Sequence, residues 1–236
     1  YGAKGSNGVI LITTKKGKEG KMRVSMQATY GITDIAYNYR PIMGGEERRE
    51  LIYEGFVNYR LNQGDSEAEA KAYADGQIDN YAARPANGYA DWEDALLKKG
   101  HQQDYSLSVS GGNEKSNFIG TLGYTNQTGI SINSGMERFT GRIDANSNKF
   151  EYGMNATFSW TRNKHTPEGQ YYASALYSSK YQLTPSIPIY NEDGSYHTGF
   201  QNNGGINPLY ENSVDSNYAR LARTMASAKA AYHILD

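Results

Sequence analysis

The sequence predicts an all-β fold, a partial antiparallel β-barrel of the transmembrane kind, and three observations carry that prediction. Six segments alternate apolar and polar residues, most over about ten positions, the length a tilted stave needs to cross a bilayer. The polar sides bear Arg138, Arg142, Asp144 and Lys229, charges that a sandwich core would reject and a wet lumen accepts. Short and very long connections alternate along the chain, as they do between the two rims of an outer-membrane barrel.

Composition narrows the function classes. Lys and Arg number 24 against 25 Asp and Glu, so the formal charge is −1, which excludes a basic nucleic-acid binder. The absence of cysteine removes disulfide scaffolds, zinc knuckles and thiol nucleophiles. Mean hydropathy is −0.74, and no apolar run approaches the ~18–20 residues of a spanning helix. Leu, Ile, Val and Phe make up only 38 of the 236 residues, yet the near-zero charge argues against disorder. With 26 Gly and 21 Tyr, the chain suits sheets that have one polar face.

In chain order, Val9–Thr14 is a continuous β-prone run and predicts a strand buried on both faces. It stands between the Gly-rich residues 1–8 and a basic stretch, Lys15–Lys21, that reads as a solvated turn. Alternation then begins. Val24, Met26, Ala28 and Tyr30 share one side of 23–30, and Tyr105, Leu107 and Val109 one side of 104–110. In 117–127, Phe118, Leu122 and Tyr124 oppose Asn117, Thr121 and Thr125, with Ile119 the misfit. In 138–146, Phe139, Ile143 and Ala145 oppose Arg138, Thr140, Arg142 and Asp144. In 152–161, Tyr152, Met154, Ala156, Phe158 and Trp160 share a side. The weakest case is 225–235, with Ala226, Ala228, Ala230, Tyr232 and Ile234 together. Aromatics near strand ends (Tyr30, Tyr105, Tyr124, Tyr152, Trp160) fit interfacial girdles. A soluble antiparallel sheet with one solvated face remains the alternative on pattern alone.

The short connections are 111–116 and 147–151, the long ones 31–103 and 162–224, with 128–137 between in length. Within the first long connection, Leu51, Ile52, Phe56 and Tyr59 recur at helical spacing over Glu46–Leu61. Asp65–Ala74 reads as a second helix, with Ser66 and Glu69 spaced as a capping box. Small helices over a barrel mouth or a partner-docking pair both fit.

No catalytic constellation is present. The opening Gly-rich stretch lacks a Gly-Lys-Ser/Thr triplet and precedes a strand rather than a helix. His101, His165, His197 and His233 are scattered, no Gly-x-Ser-x-Gly elbow exists, and Asn191–Ser195 lacks the ligand spacing of a calcium loop. A tight turn with Gly194 in the left-handed region explains that stretch. No enzyme, cofactor or metal is expected. The second long connection gathers Tyr171, Tyr172, Tyr177, Tyr181, Tyr190, Tyr196, Phe200 and Tyr210 among amides. Tyrosine stacks on sugar rings and grips peptides, so Tyr171, Tyr172, Tyr190 and Tyr196 are the candidate substrate-binding residues. Holding a large loop together is the other reading of these tyrosines.

The run from Tyr1 to Gly17, Tyr-Gly-Ala-Lys-Gly-Ser-Asn-Gly-Val-Ile-Leu-Ile-Thr-Thr-Lys-Lys-Gly, resembles the end of the plug domain in SusC/RagA-type TonB-dependent transporters of Bacteroidetes. Asp91-Trp92, Ser108–Gly112, Gly123-Tyr124 through Gly129-Ile130, Arg138–Asn146, Pro188–Tyr196 and Asn207-Pro208-Leu209 extend the likeness in order. The resemblance implies residues 1–20 as the end of the plug and its linker, and 21–236 as the first staves of a barrel that has 22 strands in the family. It further implies the outer membrane of a bacterium, a multi-pass barrel, and import of oligosaccharides or peptides with a SusD-like surface lipoprotein. Drive would come from TonB–ExbB–ExbD through a segment that is not among these residues. A surface glycan-binding adhesin without transport, and a soluble β-rich carbohydrate-active enzyme, are the rival readings.

Overall fold

The structure, a computed structural model, describes residues 8, 15–36, 41–147, 151–165, 181–198 and 207–231. Within them, six strands form one antiparallel sheet in sequence order: β1 (Gly20–Thr33), β2 (Gly100–Asn113), β3 (Ser116–Thr128), β4 (Gly135–Ser147), β5 (Glu151–Lys164) and β6 (Tyr218–Ala231). The sheet is open, with β1 and β6 at its edges. This is the partial barrel that alternation predicts. The strand expected at 9–14 lies outside the described residues.

Register assigns the two faces. Val24, Val109, Gly120, Ile143, Ala156 and Ala226 form one row across all six strands; Met26, Leu107, Leu122, Gly141 and Phe158 form the next. The intervening rows carry Ser25, Ser108, Thr121, Arg142 and Thr157, then Arg23, Ser110, Asp144, Asn155 and Ser227. Because side chains alternate along a strand, each row keeps to one side of the sheet.

The apolar side is not a protein core. Phe139, Ile143 and Phe158 stay 44%, 45% and 47% exposed, although they lie on interior strands. An apolar hollow of about 450 Å³ opens among Met26, Leu107, Leu122, Phe139 and Phe158. One row above, aromatic rings touch in sequence across four strands. Tyr105 and Tyr124 are 6.4 Å apart, Tyr124 and Phe139 4.6 Å, Phe139 and Trp160 5.9 Å. Tyr152, eight residues before Trp160 on β5, marks the opposite end of the apolar band, about 26 Å away along the strand.

The polar side binds its charges to one another. Asp144, 6% exposed, accepts from Asn146 at 2.6 Å and Asn155 at 3.0 Å, and Arg142 stands 3.6 Å off. Asp104 accepts from Thr125 at 2.8 Å. The segment before β1 crosses this side. Gly17 is buried against the Phe118 backbone, where a Cβ would overlap the Phe118 carbonyl, and Lys16 stands within electrostatic reach of Asp144. In the stretch Lys15–Lys21, expected as a solvated turn, the lysines are all exposed, while Gly17 among them is seated and Gly20–Lys21 already belong to β1. Nothing in its basic composition signals the contact, which only the strand surface beneath it specifies.

The final strand starts earlier than expected, at Tyr218 rather than 225, and is described as far as Ala231; residues 232–235 of the expected span, with Tyr232 and Ile234, lie outside the described residues. Leu221 and Met225 fall on the polar side and Arg220 on the apolar side, so the pattern of its first half is inverted.

Between β1 and β2 stand α1 (Gly45–Asn62) and α2 (Glu67–Ala82), packed on each other. Ala70, Ala74, Ile78 and Ala82 recur every fourth residue and are buried at that contact. Phe56 meets Tyr73 and Tyr81 edge-on. The capping box forms as its spacing predicts: Ser66 Oγ accepts from the Glu69 amide, and the Glu69 carboxylate from the Ser66 amide. The second helix continues eight residues beyond the predicted Ala74.

Candidate functional site: a tyrosine-bearing platform on the long-loop rim

The only hydrophobic cluster of fully buried large side chains among the described residues sits beyond the strand ends, where the long connections meet. Trp92 and Leu96 of α3 (Trp92–Leu96) are 1% and 0% exposed and pack on Leu183, with Ala90, Ile132, Ile187, Ile189 and Leu209 around them. Asp91 caps α3 by accepting from the Asp94 amide at 2.9 Å. The Trp92 indole N–H donates to the Ile187 carbonyl at 3.1 Å, fastening one long connection to the other.

Asn207 is the second fastener. It is 1% exposed and caps α4 (Pro208–Val214), with Pro208 in the first turn, where its missing N–H costs no helical bond. Its Nδ2 donates to the Ile189 carbonyl at 3.1 Å and the His197 carbonyl at 3.0 Å, while Oδ1 accepts from the Leu209 amide at 3.0 Å. A buried carboxamide with both ends engaged is worth more than its cap alone, since its removal orphans two carbonyls.

The platform is tied to the sheet through the β3–β4 connection. The Lys98 amide donates to the Ile130 carbonyl and the Ile132 amide to the Leu96 carbonyl, and Asn133 Nδ2 reaches the Asn212 carbonyl at 3.0 Å. The loop tyrosines therefore ride on a fixed base.

Of the four candidate tyrosines, the structure brings two together. Tyr190 and Tyr196 are bridge partners across a small turn, with rings stacked 5.2 Å apart, and Tyr210 meets Tyr196 edge-on at 6.3 Å. Gly194 closes the turn at φ +81°, as the sequence predicts. Asn191 braces it, donating to Ser195 Oγ at 2.9 Å and the Tyr196 carbonyl at 3.2 Å. The Ser195 hydroxyl and amide both donate to Asp193, holding that carboxyl below its ordinary range. Tyr190 remains 47% exposed and Tyr210 37%. The result is a braced aromatic face suited to stacking on a flat apolar surface, with Asn191 Oδ1 and His197 Nδ1 hydrogen-bonded to each other 2.8 Å apart at its edge. Tyr171 and Tyr172 lie outside the described residues. Sequence reasoning grouped Tyr210 with these rings but missed the structural roles of Trp92 and Asn207. The Asn-Pro pair, a helix-start signature, was the available signal for Asn207.

Among the described residues, no group of three or more His, Asp or Glu could hold a metal ion. No described helix is long and apolar enough to cross a membrane, which leaves strand spans untouched.

No family model matches the chain. It is 31% identical over 246 residues to TonB-dependent receptor P3 of Formosa agariphila, covering all of this chain and 22% of that protein. To TonB-dependent receptor SusC of Bacteroides thetaiotaomicron it is 30% identical over 206 residues, covering 84% of this chain and 18% of SusC. Among solved structures, the RagAB peptide transporter superposes with a TM-score of 0.70 over 99% of this chain and 29% of that chain, at 21% identity. The RagAB peptide importer in its closed–closed state gives 0.67 over the same shares. The chain thus spans about a fifth of the length of the curated relatives it matches. Its relatives are receptors and transporters, its sheet has the two unlike faces of a barrel wall, and the chain belongs to the SusC/RagA type of TonB-dependent transporter, outer-membrane β-barrel proteins.

Proposed function

We propose that the protein containing this chain imports oligosaccharides or peptides across the outer membrane, in company with a SusD-like surface lipoprotein and under TonB drive, and is not an enzyme. Residues 1–20 form the end of the plug and its linker in this reading, and 21–236 the first staves of a multi-pass barrel. The observation that carries it is the division of the sheet into an exposed apolar side bounded by aromatic rings and a side of hydrogen-bonded charges. Hydrocarbon meets the first, and a hydrated passage meets the second.

The platform of Trp92, Leu183 and Asn207 then lies on the cell exterior, because long loops mark the outer rim of such barrels. It presents Tyr190 and Tyr196 to cargo arriving beneath the lipoprotein. Tyr171 and Tyr172 join them on sequence grounds alone. The seat of Gly17 against Phe118 and of Lys16 near Asp144, on the side that bears the charges, supports reading this segment as the link between plug and wall. RagAB, whose solved structures carry the same fold, is a peptide importer, which supports transport as the class.

Uptake by whole cells tests this reading. Deleting the gene should abolish accumulation of a labelled oligosaccharide or peptide pool, and restoring the full-length gene should return it. Normal surface binding with no accumulation in either strain would instead favour an adhesin.

A further inference from the structure

The upper rim of the apolar face carries a cluster of positive charge that neither transport nor the loop platform uses. Arg162 of β5 and Arg220 of β6 are direct cross-strand partners. Both lie on the same side as Trp160, which is two residues below Arg162 and so about 7 Å nearer the middle of the band. Two like charges placed directly opposite on a sheet repel one another, and such pairs destabilise a strand pairing. Each guanidinium packs on the Tyr218 ring, at 4.9 Å for Arg162 and 4.7 Å for Arg220, and among the described residues neither forms an ion pair. The Arg162 Nε is shielded from solvent and has no hydrogen-bond partner. Beside it opens a polar recess of about 210 Å³ lined by Lys98, Asn126, Thr128, Glu137, Arg162 and Lys164. Its one carboxylate, Glu137, is the cross-strand partner of Arg162 on β4, forms no ion pair with it, and accepts from the Tyr124 hydroxyl at 3.1 Å. Among the described residues, three cations thus surround one carboxylate, with a fourth across the strand, an excess of positive charge.

We propose that this rim binds the phosphate of a phosphorylated lipid in the outer leaflet, with Arg162, Lys164 and Arg220 as its principal contacts. Depth selects a lipid over a soluble anion. The cluster stands one row above the aromatic girdle, at headgroup level, and acyl chains below it would run down over Trp160, Phe139 and the hollow beside Phe158. The planar fork of arginine suits bidentate phosphate recognition, and a shared anion removes the repulsion between Arg162 and Arg220. The proposal rests on the orientation of the wall given above, but it fails separately from transport.

The test uses the full-length transporter in nanodiscs, probed with a monophosphorylated lipid A and with the same lipid A after enzymatic dephosphorylation. Native mass spectrometry should record at least tenfold more bound phosphorylated than dephosphorylated lipid on the unaltered protein. The R162Q/R220Q variant should lose that preference while labelled-cargo uptake by cells persists. Inorganic phosphate at millimolar concentration should not displace the lipid. Equal binding of the two lipids by the unaltered protein overturns the proposal even if the variant fails to assemble. An unchanged preference in an assembled variant, or full displacement by inorganic phosphate, overturns it too. Loss of uptake from the unaltered protein would instead count against the import reading.

Discussion

Tyr190 and Tyr196 face each other across a turn of five residues, their rings 5.2 Å apart, and the turn is anchored from below by the carboxamide of Asn207. The proposed cargo site and the loop architecture therefore rest on neighbouring residues, and substitutions can separate them.

Tyr190→Ala and Tyr196→Ala remove aromatic surface while leaving the Asn207 bonds in place. Each should weaken cargo binding by about tenfold, or about 1.4 kcal/mol, the range expected for one stacking ring. Isothermal titration of the purified full-length transporter with its cargo measures this, and unchanged affinity in both variants would remove these rings from the site.

Asn207→Ala deletes two donors to buried carbonyls and the cap of α4. A loss of about 1–3 kcal/mol of local stability follows. Limited proteolysis should cut within 181–217 faster than in the unaltered protein, while the barrel resists digestion equally in both.

The two faces of β5 should respond differently to one charge. Arginine at Phe158, on the apolar side, costs about 2–4 kcal/mol near the bilayer midplane; arginine at Thr157, on the hydrated side, costs little. Urea unfolding in lipid vesicles reads the difference, and equal penalties would contradict the assignment of solvents.

Gly17→Ala forces a Cβ into the Phe118 carbonyl. The segment before β1 should lift from the wall, seen as faster hydrogen exchange over 15–19 with the strands unaffected. Exchange identical to the unaltered protein would show that the seat tolerates a side chain.

Acid should loosen the start of α1. Two hydrogen bonds from Arg84, at 2.8 and 2.9 Å, are the largest influence on Glu46 and hold its carboxyl below the ordinary range, with the Tyr89 hydroxyl adding to them. A lowered folded pKa means that the contribution is full above the unfolded value, about 4.3, and is lost as pH falls through the folded one. Amide exchange at 45–50, corrected for intrinsic rates, should rise on acidification below that range. Glu46→Gln should abolish the dependence.

The strands were legible where a period of two ran uninterrupted. Five of them appear within about four residues of the predicted spans, because a side chain on the wrong face meets the wrong solvent. The early start of β6 was missed because its first residues break that rule: Leu221 and, further in, Met225 face the polar side, and Arg220 faces the apolar side near the strand end. The extension of α2 escaped notice because Asp75 and Gly76 weaken its local propensity, whereas burial of Ile78 and Ala82 against α1 restores it. The platform was invisible for a different reason. Trp92 finds its carbonyl partner 95 positions further along the chain, and no local pattern encodes a contact of that separation. The tyrosines were conspicuous by composition, but the pairing of Tyr190 with Tyr196 required the turn to close.

Among the described residues, one flank of β1 and one of β6 face no neighbouring strand, each a ladder of peptide N–H and C=O groups along fourteen residues. Acyl chains offer those groups nothing to bond. A bare flank of that length is costly in hydrocarbon, so a wall of this kind demands a strand partner along β1 and another along β6 before acyl chains reach them.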